Sequence, residues 1–455
     1  MDIIIKNAKI INADTEFYAD IGIENETICA IGQNLEDSRA EVIDASGLYA
    51  MPGGVEVHAH FSSPFFSAVS SDDYKSGTCA AICGGVTTVV DFATQEKGKP
   101  LMQAVEAHRK MGDGNTYTDY SFHVIVTDLS KDTEDEIEDV IEYGIPSFKL
   151  YTVYKKEGLM MNDGDICRLL EKTKKCKGLV SVHAENPDVI DVRTSQYLAA
   201  GQTSSWYHYM SRPEFVEAEA EKRVIHWAKA LDAPIYIVHV ACKEGIEAVA
   251  EAKAKGYKIF AETCPHYLNF TNDVYKRPDA AKFVCSPPIK GSQSREALWD
   301  AIKKGYVDTI ASDHCPFMWS EKLWGKDDFT KTPNGCGGIE TRYVYMLSNA
   351  NEGKITFKNV VRMCAQRPAE IFGCSKKGKI EVGCDADLIL FDPKGSMIYT
   401  KENMKSKADH SIWEGTEFSG KITKTVLRGK VICENGELKQ QTPQGRFIKR
   451  DRFKL

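Results

Sequence analysis

The run Pro52-Gly-Gly-Val-Glu-Val-His-Ala-His60 constrains this chain more than any other segment. Val55 and Val57 alternate with Glu56 and lead into two histidines, which is how the end of a β-strand reads. Residues i and i+2 of a strand project to the same side. The imidazoles of His58 and His60 can therefore reach one metal ion. A His-x-His pair is common by chance, so its weight depends on further ligands elsewhere in the chain.

The middle of the sequence supplies a repeating frame for such ligands. Strand-like segments at 55–60, 87–92, 120–126, 147–151, 179–183, 235–240, 258–263 and 308–312 alternate with helix-like ones. The helical stretches include 132–143, 164–175, 214–231, 243–255 and 294–304. Eight strands with intervening helices predict an α/β fold, a (β/α)8 barrel. A doubly wound sheet would need a glycine-rich phosphate turn after its first strand, and Gly53-Gly54 precedes that strand instead.

Both ends of the chain have a different character. Short strands at 3–5, 9–11, 21–23 and 27–31 open it, and strand-like segments at 387–391 and 425–433 close it. Asn435-Gly436 is a strong hairpin signal. A small β-sandwich built from both termini is expected, with 1–51 and 375–455 flanking a barrel at 52–374. Length alone would allow roughly three domains, but barrels often exceed 250 residues as one unit.

Composition narrows the function. Net charge is −7 with no basic stripe, so nucleic acid and anionic membrane surfaces are not expected partners. No apolar run reaches about 18 residues, so no membrane span is expected. The first residues read as a strand rather than a signal peptide. The 14 cysteines form no Cys-x-x-Cys pair, and several lie in apolar contexts. They read as reduced, buried thiols of a cytoplasmic protein.

Active sites of barrels lie at the C-terminal ends of strands. Those ends carry His58 and His60, Lys149, His183, His239 and, just after the last strand, Asp313. Each has an ordinary reading alone: a hydrogen-bonded core histidine, a paired lysine, a helix N-cap. Together they are too many ligands for one tetrahedral ion and suit a two-metal site with an open, water-bearing position. Zinc is the ion favoured by ligand type, with manganese, cobalt and iron as alternatives. His314 should face away from Asp313, His266 lies near the mouth of the seventh strand, and His123 reads as packing.

These residues resemble the cyclic amidohydrolase family, in its hydantoinase and dihydropyrimidinase branch. The resemblance covers nearly the whole chain. Its carriers are the His58 and His60 run, Phe148-Lys-Leu-Tyr151 with Tyr154, Val182-His-Ala-Glu-Asn186, Ser211-Arg-Pro213, Val238-His239 and Glu262-Thr-Cys-Pro265. Cys285-Ser-Pro-Pro288, Ser312-Asp-His-Cys315, Pro333-Asn-Gly335 and Gly383-Cys-Asp-Ala-Asp-Leu388 complete the set.

The resemblance implies that Lys149 is carboxylated and bridges two divalent ions. One ion would take His58, His60 and Asp313, the other His183 and His239. Asp313 would act as general acid and base, and Tyr154 would stabilise the oxyanion. Ser286 and Asn334 would hold the ring's amide and imide edges through backbone groups. The family is usually a homotetramer, and the segment 413–415 and the tail to Leu455 are expected at a subunit contact.

The substrate implied is a small cyclic amide. No arginine follows His60, which argues against dihydroorotase-like chemistry. Phe65, Phe66, Tyr151 and Leu159 are expected at an aromatic lip that suits a bulky ring substituent. Opening of 5-substituted hydantoins to N-carbamoyl amino acids is therefore expected, with dihydropyrimidines processed as well. Alternatives are a dihydropyrimidinase of pyrimidine catabolism, an allantoinase, and a non-catalytic scaffold relative that has lost its chemistry.

Overall fold

The computed structural model describes residues 1–65 and 67–454. The lip candidate Phe66 and the terminal Leu455 lie outside the described residues. Eight parallel strands form one sheet in sequence order: β1 (Gly54–Ala59), β2 (Val86–Thr94), β3 (Asp119–Ile125), β4 (Ser147–Tyr151), β5 (Leu179–His183), β6 (Ile235–Ile237), β7 (Ile259–Thr263) and β8 (Thr309–Ile310). The edges meet through a parallel bridge between Ala59 and His314. His60 N donates to His314 O at 2.9 Å, which closes the sheet into a barrel.

The barrel strands are apolar on both faces because helices cover the outside and side chains fill the inside. Every residue of β1, β3, β4 and β5 is buried. The helices carry their own start and stop signals. In Lys131–Tyr143 the Ser130 side chain accepts from Thr133 N, and Gly144 ends the helix at φ 109°. Its buried face, Ile137, Val140 and Ile141, follows the 3.6-residue period.

β6 and β8 are shorter than the sequence suggests. Left-handed backbone at His239 (φ 39°) and Asp313 (φ 48°) breaks the regular pairing just where these candidate ligands sit. Such backbone costs a non-glycine residue about 1–3 kcal/mol, and the closed barrel holds it in place.

The two chain ends form one nine-stranded, mostly antiparallel sheet. Tyr49–Pro52, which leads into the barrel, pairs antiparallel with Leu388–Ile398, which follows it. The Asn435-Gly436 turn joins Lys430–Glu434 to Glu437–Leu438, with both turn residues at positive φ (50° and 79°) as a tight hairpin requires. The C-terminal tail returns to the barrel, where Ile448 N donates to Tyr120 O at 2.8 Å.

The Trp413 ring is 1% exposed and packs on Phe270 and Tyr345 in the chain's own core, while Glu414 and Gly415 beside it are exposed. No described helix is long and apolar enough to cross a membrane.

Candidate metal centre

All eleven site residues singled out from the sequence line one cavity at the C-terminal mouth of the barrel. They are His58, His60, Phe65, Lys149, Tyr151, Tyr154, His183, His239, Ser286, Asp313 and Asn334, with Cys315 and Gly335 beside them. Parallel register explains part of the convergence. Tyr151 on β4 sits opposite His183 on β5, and Ile125 on β3 opposite Lys149.

The donor atoms of His58, His60 and Asp313 lie within 4.8 Å of one another. Asp313 Oδ1 is 3.0 Å from His58 Nε2 and 3.4 Å from His60 Nε2. Lys149 Nζ lies 3.3 Å from His58 Nε2. The His183 and His239 rings meet at 4.6 Å between centroids. Nδ1 of His239 is buried with no hydrogen-bond partner, a costly arrangement for a polar atom unless something binds there.

Two acids orient the histidines. Glu262 Oε1 is 2.6 Å from His58 Nδ1 and accepts from His239 N at 3.0 Å. Glu262 Oε2 accepts from the Tyr236 hydroxyl at 2.8 Å. Glu185 Oε2 is 2.9 Å from His183 Nε2 and accepts from Arg212 Nη1 at 2.7 Å. Acids placed behind ligating imidazoles fix their tautomer and ring direction. Glu185, Arg212 and Glu262 belong to motifs visible in the sequence, but no role was assigned to them there. The usable signal was Glu185 two residues after His183, on the same face of the strand end.

The electrostatics suit cation binding. Burial drives His60 down to about 4, so its imidazole is a neutral donor near neutral pH, and lowers the Lys149 amine to about 8, so its neutral form becomes accessible just above neutral pH. Burial and the neighbouring His183 push His239 well below its ordinary value. Asp313 loses solvation as well, but the His58 and His60 imidazoles beside it hold its carboxyl well below the usual carboxylate range. Four imidazoles, one ionised carboxylate and a lysine amine of lowered basicity around an unpartnered buried nitrogen fit a pair of divalent ions.

The three other histidines singled out from the sequence lie outside the cavity lining. His314 Nε2 contacts Asp72 at 2.9 Å, a buried pair outside the cavity lining. His123 contacts Ser147 Oγ and Val57 O at 2.7 and 3.1 Å, a packing role. His266 packs on Tyr267 and does not line the cavity. Phe65 packs edge-on to Tyr154 at 5.4 Å. Leu159 joins the same apolar cluster but lines the adjoining cleft with Phe65.

Comparison with known proteins agrees with this architecture. The profile described as the amidohydrolase family matches residues 49–432. A D-hydantoinase of Ralstonia pickettii is 40% identical over all of both chains, and one of Geobacillus stearothermophilus is 38% identical over 99% of this chain and 97% of its own. The crystal structure of a dihydropyrimidinase from Brevibacillus agri NCHU1002 superposes with a TM-score of 0.98 at 37% identity, covering both chains fully. With the fold, the strand-end ligand set and full-length similarity in agreement, this chain belongs to the amidohydrolase family.

Proposed function

We propose that this chain hydrolyses the ring amide of 5-substituted hydantoins, giving N-carbamoyl amino acids, and that it also opens dihydropyrimidines. The observation that carries this reading is one cavity in which His58, His60, Lys149, His183, His239 and Asp313 face Tyr154, Ser286 and Asn334. The full-length similarity to D-hydantoinases supports the substrate class.

His58, His60 and Asp313 would hold one ion, His183 and His239 the other, and carboxylated Lys149 both. The protonated amine would repel two cations, whereas its carbamate offers two anionic oxygens. Zinc is the ion that fits these ligand types best. When bound, the paired ions supply a water acidic enough to serve as nucleophile near neutral pH.

The chain's own groups do the rest. Asp313, ionised at rest, accepts a proton from the attacking water and delivers it to the leaving ring nitrogen. Burial pushes the Tyr154 phenol above its ordinary range, so it stays protonated and donates to the carbonyl oxygen as charge develops there. Left-handed backbone at Tyr154 (φ 68°) turns this side chain into the cavity. Asn334 Nδ2 donates to Ser286 Oγ at 3.1 Å, which fixes the two segments whose backbone groups would hold the ring. Phe65 and Tyr151 would contact the ring substituent.

The units 1–51 and 375–455 would form the β domain and 52–374 the catalytic barrel. The family resemblance also points to a cytoplasmic homotetramer. The test is the ratio of ring-opening rates on 5-phenylhydantoin and dihydrouracil with metal-loaded protein. A ratio well above one supports the hydantoinase reading. A ratio well below one replaces it with a dihydropyrimidinase and leaves Phe65 and Tyr151 as packing residues.

A further inference from the structure

A second buried cluster lies outside the cavity, beyond the strand end that carries His239. Glu217 and Glu221 sit about one turn apart on the helix Glu214–Ala230. Cys242 directly precedes the helix Lys243–Ala254. One carboxylate oxygen from each acid and the cysteine sulfur all lie within 4.8 Å of one another. The three residues are 1%, 1% and 0% exposed.

One further observation points to a ligand, and a second shows how closely the groups are brought together. Oε2 of Glu221 is buried and has no hydrogen-bond partner, and Glu221 forms no ion pair among the described residues. Lys290 stands beside the cluster, where its Nζ lies 3.3 Å from Glu217 Oε2 and donates to Arg212 O at 2.8 Å, but it forms no ion pair with Glu221. The second observation concerns Gly245. A Cβ there would stand 1.7 Å from Glu221 Oε2 and 3.1 Å from Cys242 Sγ. Only glycine lets the carboxylate and the sulfur share that space.

Burying a carboxylate without a partner is costly. Burial, reinforced by the Glu217 charge, pushes Glu221 well above its ordinary value. Burial likewise raises the Cys242 thiol. Both shifts favour the protonated forms when no ion is bound.

We propose that Glu217, Glu221 and Cys242 form an additional metal site, separate from the cavity, for a borderline divalent cation such as zinc or cobalt. The charge balances. Binding releases one proton from the Glu221 carboxyl and one from the Cys242 thiol. The dication replaces those two positive charges, and Lys290 continues to balance Glu217. Two carboxylates and one thiolate suit an ion between hard and soft, and a fourth position stays open. The site's effect would fall on His239. Glu217 Oε1 accepts from Ala241 N and Cys242 N at 2.7 and 3.2 Å, so an ion held by Glu217 would pin the segment that follows His239.

Cobalt(II) tests this directly. The ligands assigned in the cavity include no thiolate, so a sulfur-to-cobalt charge-transfer band in the near ultraviolet reports thiolate ligation alone. Wild-type protein loaded with cobalt should show this band and hold about one equivalent more per chain than Cys242→Ser. Glu221→Gln, which fills the same space without the charge, should also lose the band and that equivalent. This difference counts one site whatever the cavity itself holds, so failure here is distinguishable from failure of the proposed activity. Circular dichroism checks that each variant folds, and the near-isosteric Glu221→Gln keeps the test decisive if Cys242→Ser does not. Equal cobalt content in wild type and folded variants, absence of the band in wild type, or its persistence in Cys242→Ser would overturn the proposal.

Discussion

The Glu262 carboxylate stands 2.6 Å from Nδ1 of His58, and the same oxygen accepts the backbone N–H of His239. One buried acid thus orients an imidazole on the first barrel strand and fixes the backbone turn that presents another, whose ring lies 5.3 Å away between centroids. Glu262→Gln keeps the size but weakens the acceptor. Metal retention against a chelator should fall about 10- to 100-fold, as for other residues that orient ligating histidines. Unchanged retention would reduce Glu262 to a packing residue.

Asp313→Asn removes the proposed proton carrier while keeping shape. Turnover should drop by about 10²–10⁴, with an unaltered circular dichroism spectrum. A near-normal rate in this variant would sink the assignment of Asp313 as general acid and base.

Lys149→Ala removes the group expected to bridge the ions. The variant should lose both ions on dialysis, as measured by elemental analysis. Two equivalents retained would count against a carbamate bridge.

The Lys149 amine, lowered to about 8 by burial, sets a pH dependence for the metal-free protein. Only the neutral amine attacks carbon dioxide, so carboxylation should be weak below pH 8 and rise through it. A carbamate carbon-13 signal after labelled bicarbonate is added should follow this course and be absent in Lys149→Ala. The sign for stability is the same. Between the folded value of about 8 and the ordinary 10.5, the unfolded chain binds more protons, so metal-free stability should rise with pH across that window. A carbamate signal independent of pH would show that the amine is not depressed.

Phe65→Ala opens the lip beside Tyr154. The rate on 5-phenylhydantoin relative to dihydrouracil should fall by roughly 10-fold, within the 1–3 kcal/mol that one apolar contact contributes to discrimination. An unchanged ratio would place the ring substituent elsewhere.

Much of the fold was legible because burial imposes periods on sequence. The alternation of Val55 and Val57 with Glu56, and the 3–4 spacing of Ile137, Val140 and Ile141, announce a strand and a helix without any tertiary information. The hairpin at Asn435-Gly436 was legible for a different reason, since few residues accept positive φ. Strand ends were less legible. β6 stops at Ile237 because His239 turns left-handed, and no local propensity of histidine signals that.

The sequence by itself determined which side chains stand at the ends of the barrel strands, since strand period and strand order fix that. Only the tertiary structure decided what stands behind them. Glu262 meets His58 across a separation of 204 residues, and Arg212 reaches Glu185 across 27. Trp413 turns inward to the core, and Glu221 is left facing Cys242. Such contacts depend on barrel closure and helix packing, which bring together groups that no sequence period relates.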